Sequence, residues 1–543
     1  MFFAAAGAGE GLAMLGMRYL VFALSWLALG VTIAGCLLLG WHWGWALMPA
    51  VLVVIGVYDI FQRRHAVLRN YPIIGHMRYM IETVRPEIQQ YLVDSDTDEV
   101  PFARLQRAVV YQRAKGEPDG RSFGSKLAMH EIGYEWVSHS VVPSQIESQD
   151  FRIAVGPGRK QPYSMSVFNI SGMSFGALSA NAIRALNMGA RLGGFAHDTG
   201  EGSVSPYHLQ GGDLVWQLGS GYFGCRDEKG RFDPELFEKV AAREEIKMIE
   251  LKLSQGAKPG HGGILPAAKI TPEIARTRGV LMDVDCVSPS SHSTFSTPKE
   301  MLAFIDRLRT LAGGKPAGLK LCVGHPWEFM SMVKAMLETG ILPDFIVVDG
   351  AEGGTGAAPV EFTDHVGAPL QEGLPLVHNT LVGAGLRDQI RIGASGKIII
   401  AFDIARTLAM GADYCNSARG FMFAVGCIQA GICGTDKCPT GVATQDPRRQ
   451  RAIDIKDKSQ RVANFHRNTL HALRELVQAT GLLHPSEFRP DHILRRLSRD
   501  EAKPISQILT FLEPGDLLQG NFRHPVFEKY WNRVSSESFG LVR

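Results

Sequence analysis

Phe345-Ile346-Val347-Val348-Asp349, followed by Gly350-Ala351-Glu352-Gly353-Gly354-Thr355-Gly356, is the stretch that decides the fold. Four consecutive apolar residues send side chains to both faces of a strand. A strand apolar on both faces has to be covered on both, as parallel strands under helices are. The glycine-rich run after it lets backbone N–H groups approach a ligand oxygen closely.

The same pattern extends in both directions. Short apolar runs that read as strands lie at 167–170, 194–197, 246–251, 281–287, 318–323, 390–393 and 413–417. Longer amphipathic runs that read as helices fall at 178–191, 298–311, 327–338 and 402–410. Eight β/α units over about 250 residues predict an α/β fold, a (β/α)8 TIM barrel. A doubly wound sheet is the alternative. It is weakened because no Gly-x-Gly-x-x-Gly separates the first strand from its helix.

Barrel chemistry sits on loops after the carboxyl ends of strands. Here those loops read Gly172-Met173-Ser174-Phe175-Gly176, His197-Asp198-Thr199-Gly200-Glu201-Gly202, Lys258-Pro259-Gly260-His261-Gly262-Gly263 and Ala394-Ser395-Gly396-Lys397. The glycine runs after the sixth and seventh strands suit a phosphate-bearing cofactor or substrate, since late-strand loops are the usual phosphate site of such barrels.

Cys427, Cys433 and Cys438 follow with the spacing Cys-x5-Cys-x4-Cys and then Pro439-Thr440-Gly441-Val442-Ala443-Thr444-Gln445. Thiolates at this spacing suit an iron–sulfur cluster or zinc, with three buried thiols as the plain alternative. The eight cysteines are spread through the chain and do not read as a secreted disulfide framework.

Residues 19–40 are 22 residues without a formal charge, long enough to span a bilayer as helix. A shorter apolar run at 44–61 contains Pro49 and ends near Asp59, and Trp41, Trp43 and Trp45 lie between the two. Arg18 precedes the first run and Arg63, Arg64 and Arg69 follow the second, with His42 in the turn. The positive-inside rule then places the barrel on the cytoplasmic side of an inner-membrane hairpin. A signal peptide or a buried soluble hairpin are the competing readings, the first disfavoured by length. Residues 62–144 read as a linker or cap. Arg85-Pro86-Glu87 there suits a helix start, and the arginines suit lipid headgroups or a solvated face. With 57 Lys+Arg against 54 Asp+Glu, the charge balance gives no reason to expect nucleic acid as a partner. The expected organisation is a hairpin at 1–61, the cap at 62–144, the barrel with its cysteine loop at 145–450, and a helical extension at 451–543.

The motifs at 172–179, 199–202, 255–260, 353–357, 387–388 and 427–445, in that order, resemble the FMN-binding synthase domain of glutamate synthase. The whole chain is similar to short bacterial members of that family. The resemblance implies FMN at the barrel mouth, held by Met173, Ser174, Lys320, Gly353, Gly354, Thr355, Ser395 and Gly396. It implies a [3Fe–4S] cluster on Cys427, Cys433 and Cys438. It also implies that Lys252, Glu201, Lys258 and Arg278 surround 2-oxoglutarate or a related small acid, which is aminated reductively to glutamate through 2-iminoglutarate. Taken without the resemblance, Lys258 and Arg278 read rather as surface charges and Glu201 as a helix cap, since lysines and arginines are mostly exposed. Ile264 stands where the family usually has a substrate-contacting glutamine, and 394–397 departs from an Ala-Asp-Gly-Gly run. The family's glutaminase domain is not expected here, and a ferredoxin or quinone is the expected electron partner. Two rival functions are amine or amino-acid oxidation feeding membrane quinone, and a degenerate, non-catalytic subunit.

Overall fold

The computed structural model describes residues 18–62, 65–93, 97 and 101–542. The chain divides between residues 95 and 96 into two compact units.

In the first unit, helix α1 (Leu20–Leu39) and helix α2 (Gly44–Phe61) pair with each other. Both are apolar on nearly every face, mostly exposed, and long enough to cross a membrane. Asp59 near the end of α2 is the exception. It is fully buried and accepts hydrogen bonds from the Ile73 N–H (2.9 Å) and the His76 ring (2.9 Å). Arg63 and Arg64, which set the expected orientation, lie outside the described residues. Arg85-Pro86-Glu87 does not start a helix. It falls in the last turns of Gly75–Ile88, because the upstream segment already carries helix-compatible residues.

In the second unit eight parallel strands close into a barrel. They are β1 (Phe168–Ile170), β2 (His197–Asp198), β3 (Leu214–Leu218), β4 (Ile246–Lys252), β5 (Ala317–Leu321), β6 (Phe345–Asp349), β7 (Arg391–Ser395) and β8 (Tyr414–Ser417). Closure is made by Cys415 and Asn416 of β8 opposite Phe168 and Asn169 of β1. Helix ends carry local signals. Ser179 caps Ala180–Gly193 by accepting from the Ala182 N–H, and Thr297 with Glu300 forms a capping box on Pro298–Leu311. Each such cap contributes about 1 kcal/mol.

Two sequence expectations are corrected. The segment 281–287 is not a barrel strand: only Cys286–Val287 is extended, paired with Ile264–Leu265 in a separate two-stranded ladder. Leu281, Met282 and Val284 are exposed, so their apolar character does not mark a core strand. The strand that the reading lacked is β3, so Lys258 follows the fourth strand rather than the third. The two errors offset, and the total of eight stands.

Strand side chains alternate between inside and outside. At the amino end the inside is apolar: Val215, Met248, Phe345, Val347 and Tyr414 form one buried cluster. Val155, Tyr163 and Met165, from the antiparallel hairpin Arg152–Val155/Tyr163–Ser166, fill the same cluster and close that end. Further along the same strands the inside becomes polar, with Asp198, Gln217, Glu250, Lys320, Asp349, Ser395 and Asn416 at or near the carboxyl ends. One end of the barrel is therefore a plug and the other a polar floor.

The long helix Ile455–Ala479 packs on Ala180–Gly193 and on Arg104–Lys115. The approach is close: a Cβ on Gly189 would stand 2.4 Å from a Val462 methyl carbon. The last ninety residues are thus part of the barrel unit.

Candidate active site

A hollow of about 110 Å3 opens over the polar floor. Its lining includes Gly172, Lys320, Gly353, Gly354, Ser395 and Gly396, together with Gln255, Asn416 and Arg419. Gly256, beside the hollow, is demanded by space because it meets backbone, whereas Gly354 faces the movable end of the Arg419 side chain. A Cβ on Gly256 would stand 1.8 Å from the Gly350 carbonyl oxygen, and one on Gly354 would stand 1.8 Å from an Arg419 nitrogen. Lys397 and Arg419 both lie over the Phe102 ring, at 5.9 and 5.3 Å, bringing two cations to the glycine loops.

Asn416 Oδ1 is buried in this lining without a hydrogen-bond partner. Orphaned buried acceptors are costly and uncommon, and mark places where a donor is expected. Lys320 lies 3.5 Å from Asp349. Burial alone would push the Lys320 ammonium down, but Asp349, Glu250 and Asp198 hold it well above the ordinary lysine value. It stays a cation.

Beside the hollow is a second group of charges. Lys252 Nζ is 2.8 Å from Glu201 Oε2, and both are largely buried. Burial would raise the Glu201 carboxyl, but Lys252, then Arg278 and Lys258, hold it below its usual value. Glu201 is also wedged: a Cβ on Gly263 would stand 2.2 Å from Oε1 and one on Gly219 2.5 Å from Oε2. Burial lowers Lys258 to about 8, against the pull of Glu201. Arg278 donates to the Phe175 carbonyl (3.0 Å) and the Ser174 hydroxyl (3.3 Å), and its Nε is buried without a partner. Gln255 joins the two regions, since it lines the hollow and accepts from Lys252 Nζ at 3.3 Å.

The four residues Glu201, Lys252, Lys258 and Arg278 are thus brought together. Of the residues expected at the cofactor, Lys320, Gly353, Gly354, Ser395 and Gly396 line the hollow, whereas Met173, Ser174 and Thr355 do not. Ser174 instead meets Arg278, and Thr355 is exposed. The sequence reading did not single out Gln217, Asn416, Arg419 or Lys269. Only their place near strand ends or beside the cysteine loop could have marked them.

Cys427, Cys433 and Cys438 line one small hollow of about 10 Å3. Among the described residues no three His, Cys, Asp or Glu groups converge closely enough for a single metal ion. Lys269, buried, donates to the Ala177 and Cys433 carbonyls at 2.8 and 3.2 Å. Gln445 donates to the Gly176 and Leu178 carbonyls at 3.1 and 2.9 Å, tying this loop to the one after β1.

Residues 143–483 match the model described as the conserved region in glutamate synthase. The chain belongs to the glutamate synthase family. A glutamate synthase large subunit-like protein YerD of Bacillus subtilis (strain 168) is 38% identical over 493 residues, covering 83% of this chain and 93% of that one. An archaeal glutamate synthase [NADPH] of Methanocaldococcus jannaschii is 32% identical over 354 residues, covering 65% of this chain and 66% of the relative. This glutamate synthase family chain thus spans just under two thirds of the archaeal protein. Among solved structures, a mutant flavocytochrome b2 with pyruvate bound matches at a TM-score of 0.42 and 13% identity, over 84% of this chain and 93% of that one.

Proposed function

We propose that this chain is an FMN-dependent oxidoreductase of the glutamate synthase type that reductively aminates 2-oxoglutarate to glutamate through 2-iminoglutarate. The observation that carries the reading is the meeting of three cations, Lys252, Lys258 and Arg278, around one buried carboxylate beside a glycine-lined hollow. Such an arrangement suits a small dicarboxylate, because charge-assisted hydrogen bonds are the strong ones in a buried site.

The hollow fits FMN. Its glycines, with Lys397 and Arg419 beside them, suit a phosphate, and the orphaned Asn416 Oδ1 awaits a donor. When bound, FMN supplies hydride chemistry. Lys320 would place a fixed positive charge beside it. Lys258 and Arg278 would bind and orient the carboxylates of the keto acid. Glu201 would hold both cations in place, with Lys252 balancing its charge. The three cysteines fit a [3Fe–4S] cluster, with Lys269 and Arg419 offsetting thiolate charge. Single-electron exchange with a reduced ferredoxin or with the membrane quinone pool would pass by way of these cysteines.

The two apolar helices favour an anchored enzyme, with the barrel facing the cytoplasm. They also support a second reading, oxidation of an amine or amino acid with electrons passed to quinone. The deciding experiment uses anaerobically reduced full-length protein. Flavin reoxidation by 2-oxoglutarate with ammonia, and formation of glutamate, is the expected result. Reoxidation by quinone alone, coupled to flavin reduction by amino acids, would replace it with the second reading.

A further inference from the structure

The polar floor holds more acid than base. Asp198 on β2, Glu250 on β4 and Asp349 on β6 face Lys320 on β5, and all but Asp349 are at most 5% exposed. Asp349 is satisfied as an ion, accepting from the Gly256 N–H at 2.8 Å and from the Ser395 hydroxyl, with Lys320 Nζ 3.5 Å away. The other two carboxyls share one amide. Gln217 Nε2 donates to Asp198 Oδ2 at 3.0 Å and to Glu250 Oε1 at 2.7 Å, which uses both its hydrogens. Asp198 has one more donor, the Gly200 N–H at 2.8 Å.

Asp198 and Glu250 are therefore neighbours, with one oxygen of each seated on the same Gln217 nitrogen. Two like charges buried side by side do not both ionise. The remaining groups facing the pair are Lys252, further along β4, and the Tyr414 hydroxyl from β8. Lys252 is committed to Glu201 at 2.8 Å, and a phenol supplies no positive charge. Lys320 is left to serve all three acids.

We propose that Asp198 and Glu250 share one proton, clamped by Gln217, and form a proton store beneath the hollow. The floor's charge then answers to what sits above it. Gly172, which lines the hollow, brings the two into contact: a Cβ there would stand 2.9 Å from Gln217 Nε2 and 3.1 Å from Asp198 Oδ2. When the occupant of the hollow loses negative charge, the pair releases its proton. When the occupant gains negative charge, the pair keeps it. Burial first, and then the Asp198 charge, push Glu250 up to about 8, so the proton is held at neutral pH. Asp198 and Glu250 are positioning residues here, acting on the occupant through Lys320 and through their field.

The store itself does not need the occupant; its coupling to redox state rests on the reading that the occupant is FMN. The experiment therefore has two arms. In the first, infrared spectra of flavin-stripped full-length protein are recorded from pH 6 to 10. A buried carboxylic-acid C=O band is expected at neutral pH, shifting in deuterium oxide and vanishing near pH 8. It should be absent in both Glu250→Gln and Asp198→Asn, so that one misfolded variant does not decide the matter. A neutral-pH spectrum without this band, or a band that persists in both folded variants, would overturn the store. In the second arm, flavin midpoint potential is followed against pH in reconstituted protein. The wild-type slope should change near pH 8 and the Glu250→Gln slope should not. Identical curves would overturn the coupling. Failure of the protein to take up FMN would instead overturn the cofactor reading and leave the first arm standing.

Discussion

Gly356 and Gly434 meet backbone to backbone: a Cβ on Gly434 would stand 2.2 Å from the Gly356 carbonyl oxygen. The phosphate-type loop and the cysteine loop are therefore packed against each other with no side chain between them. The prediction is that Gly434→Ala disturbs both at once. Forcing the loops apart should cost about 1–3 kcal/mol locally. Bound flavin and iron should both fall in the purified variant while the circular-dichroism spectrum stays unchanged. Loss of neither would argue that the loops are mechanically independent.

Breaking the Lys252–Glu201 pair should be expensive. Lys252→Met leaves a wedged carboxylate with its nearest cation gone, and removing one partner of a buried pair costs about 3–5 kcal/mol. The double variant Lys252→Met/Glu201→Gln should recover much of that stability without recovering activity. Denaturant midpoints of the two variants, compared with wild type, make the test.

Lys258 gives a pH dependence of definite sign. Its folded value, about 8, lies below the ordinary 10.5. Between these values the unfolded chain holds a proton that the folded chain has lost, so this group's contribution to stability rises with pH across that window. Keto-acid affinity should move the opposite way, falling as pH passes about 8 and the cation is lost. Lys258→Arg should flatten that fall in a titration of 2-oxoglutarate binding, whereas an unchanged profile would remove Lys258 from the binding set.

Cys433→Ser should remove most of the iron from anaerobically prepared protein and leave the barrel folded. Iron analysis with electron paramagnetic resonance of the oxidised protein reads this directly. Stoichiometric zinc in place of iron, in wild type, would refute the cluster.

Full-length protein should remain with the membrane fraction after washing with salt and with carbonate. Release by either would refute anchoring through Leu20–Leu39 and Gly44–Phe61.

What was legible in the sequence followed local pattern. Phe345–Asp349 could be read because its apolar run is uninterrupted, and Pro298–Leu311 because Thr297 and Glu300 bracket its start. Leu214–Leu218 escaped because Gln217 interrupts its apolar run and the pair Gly211-Gly212 precedes it closely. The run at 281–287 misled because apolar residues on an exposed hairpin look like those in a core. Glu201, Lys252, Lys258 and Arg278 could be named from the motifs around them. The floor of the hollow could not. Asp198, Gln217, Glu250 and Asn416 come from four strands, and only strand pairing within the closed barrel brings them to one floor.

That closure has a consequence for how the chain is made. The seam joins Phe168 to Cys415, and the helix that braces it, Ile455–Ala479, comes later still. During synthesis β1 waits, unpaired on one side, until Tyr414–Ser417 has left the ribosome, while the apolar hairpin at 20–61 precedes every strand of the barrel. Domains generally fold as units as they emerge. A nascent chain held at the bilayer by its first sixty residues would keep its unfinished barrel away from other nascent copies. The hairpin would then also act as a tether that protects an aggregation-prone intermediate until the helix Ile455–Ala479 arrives.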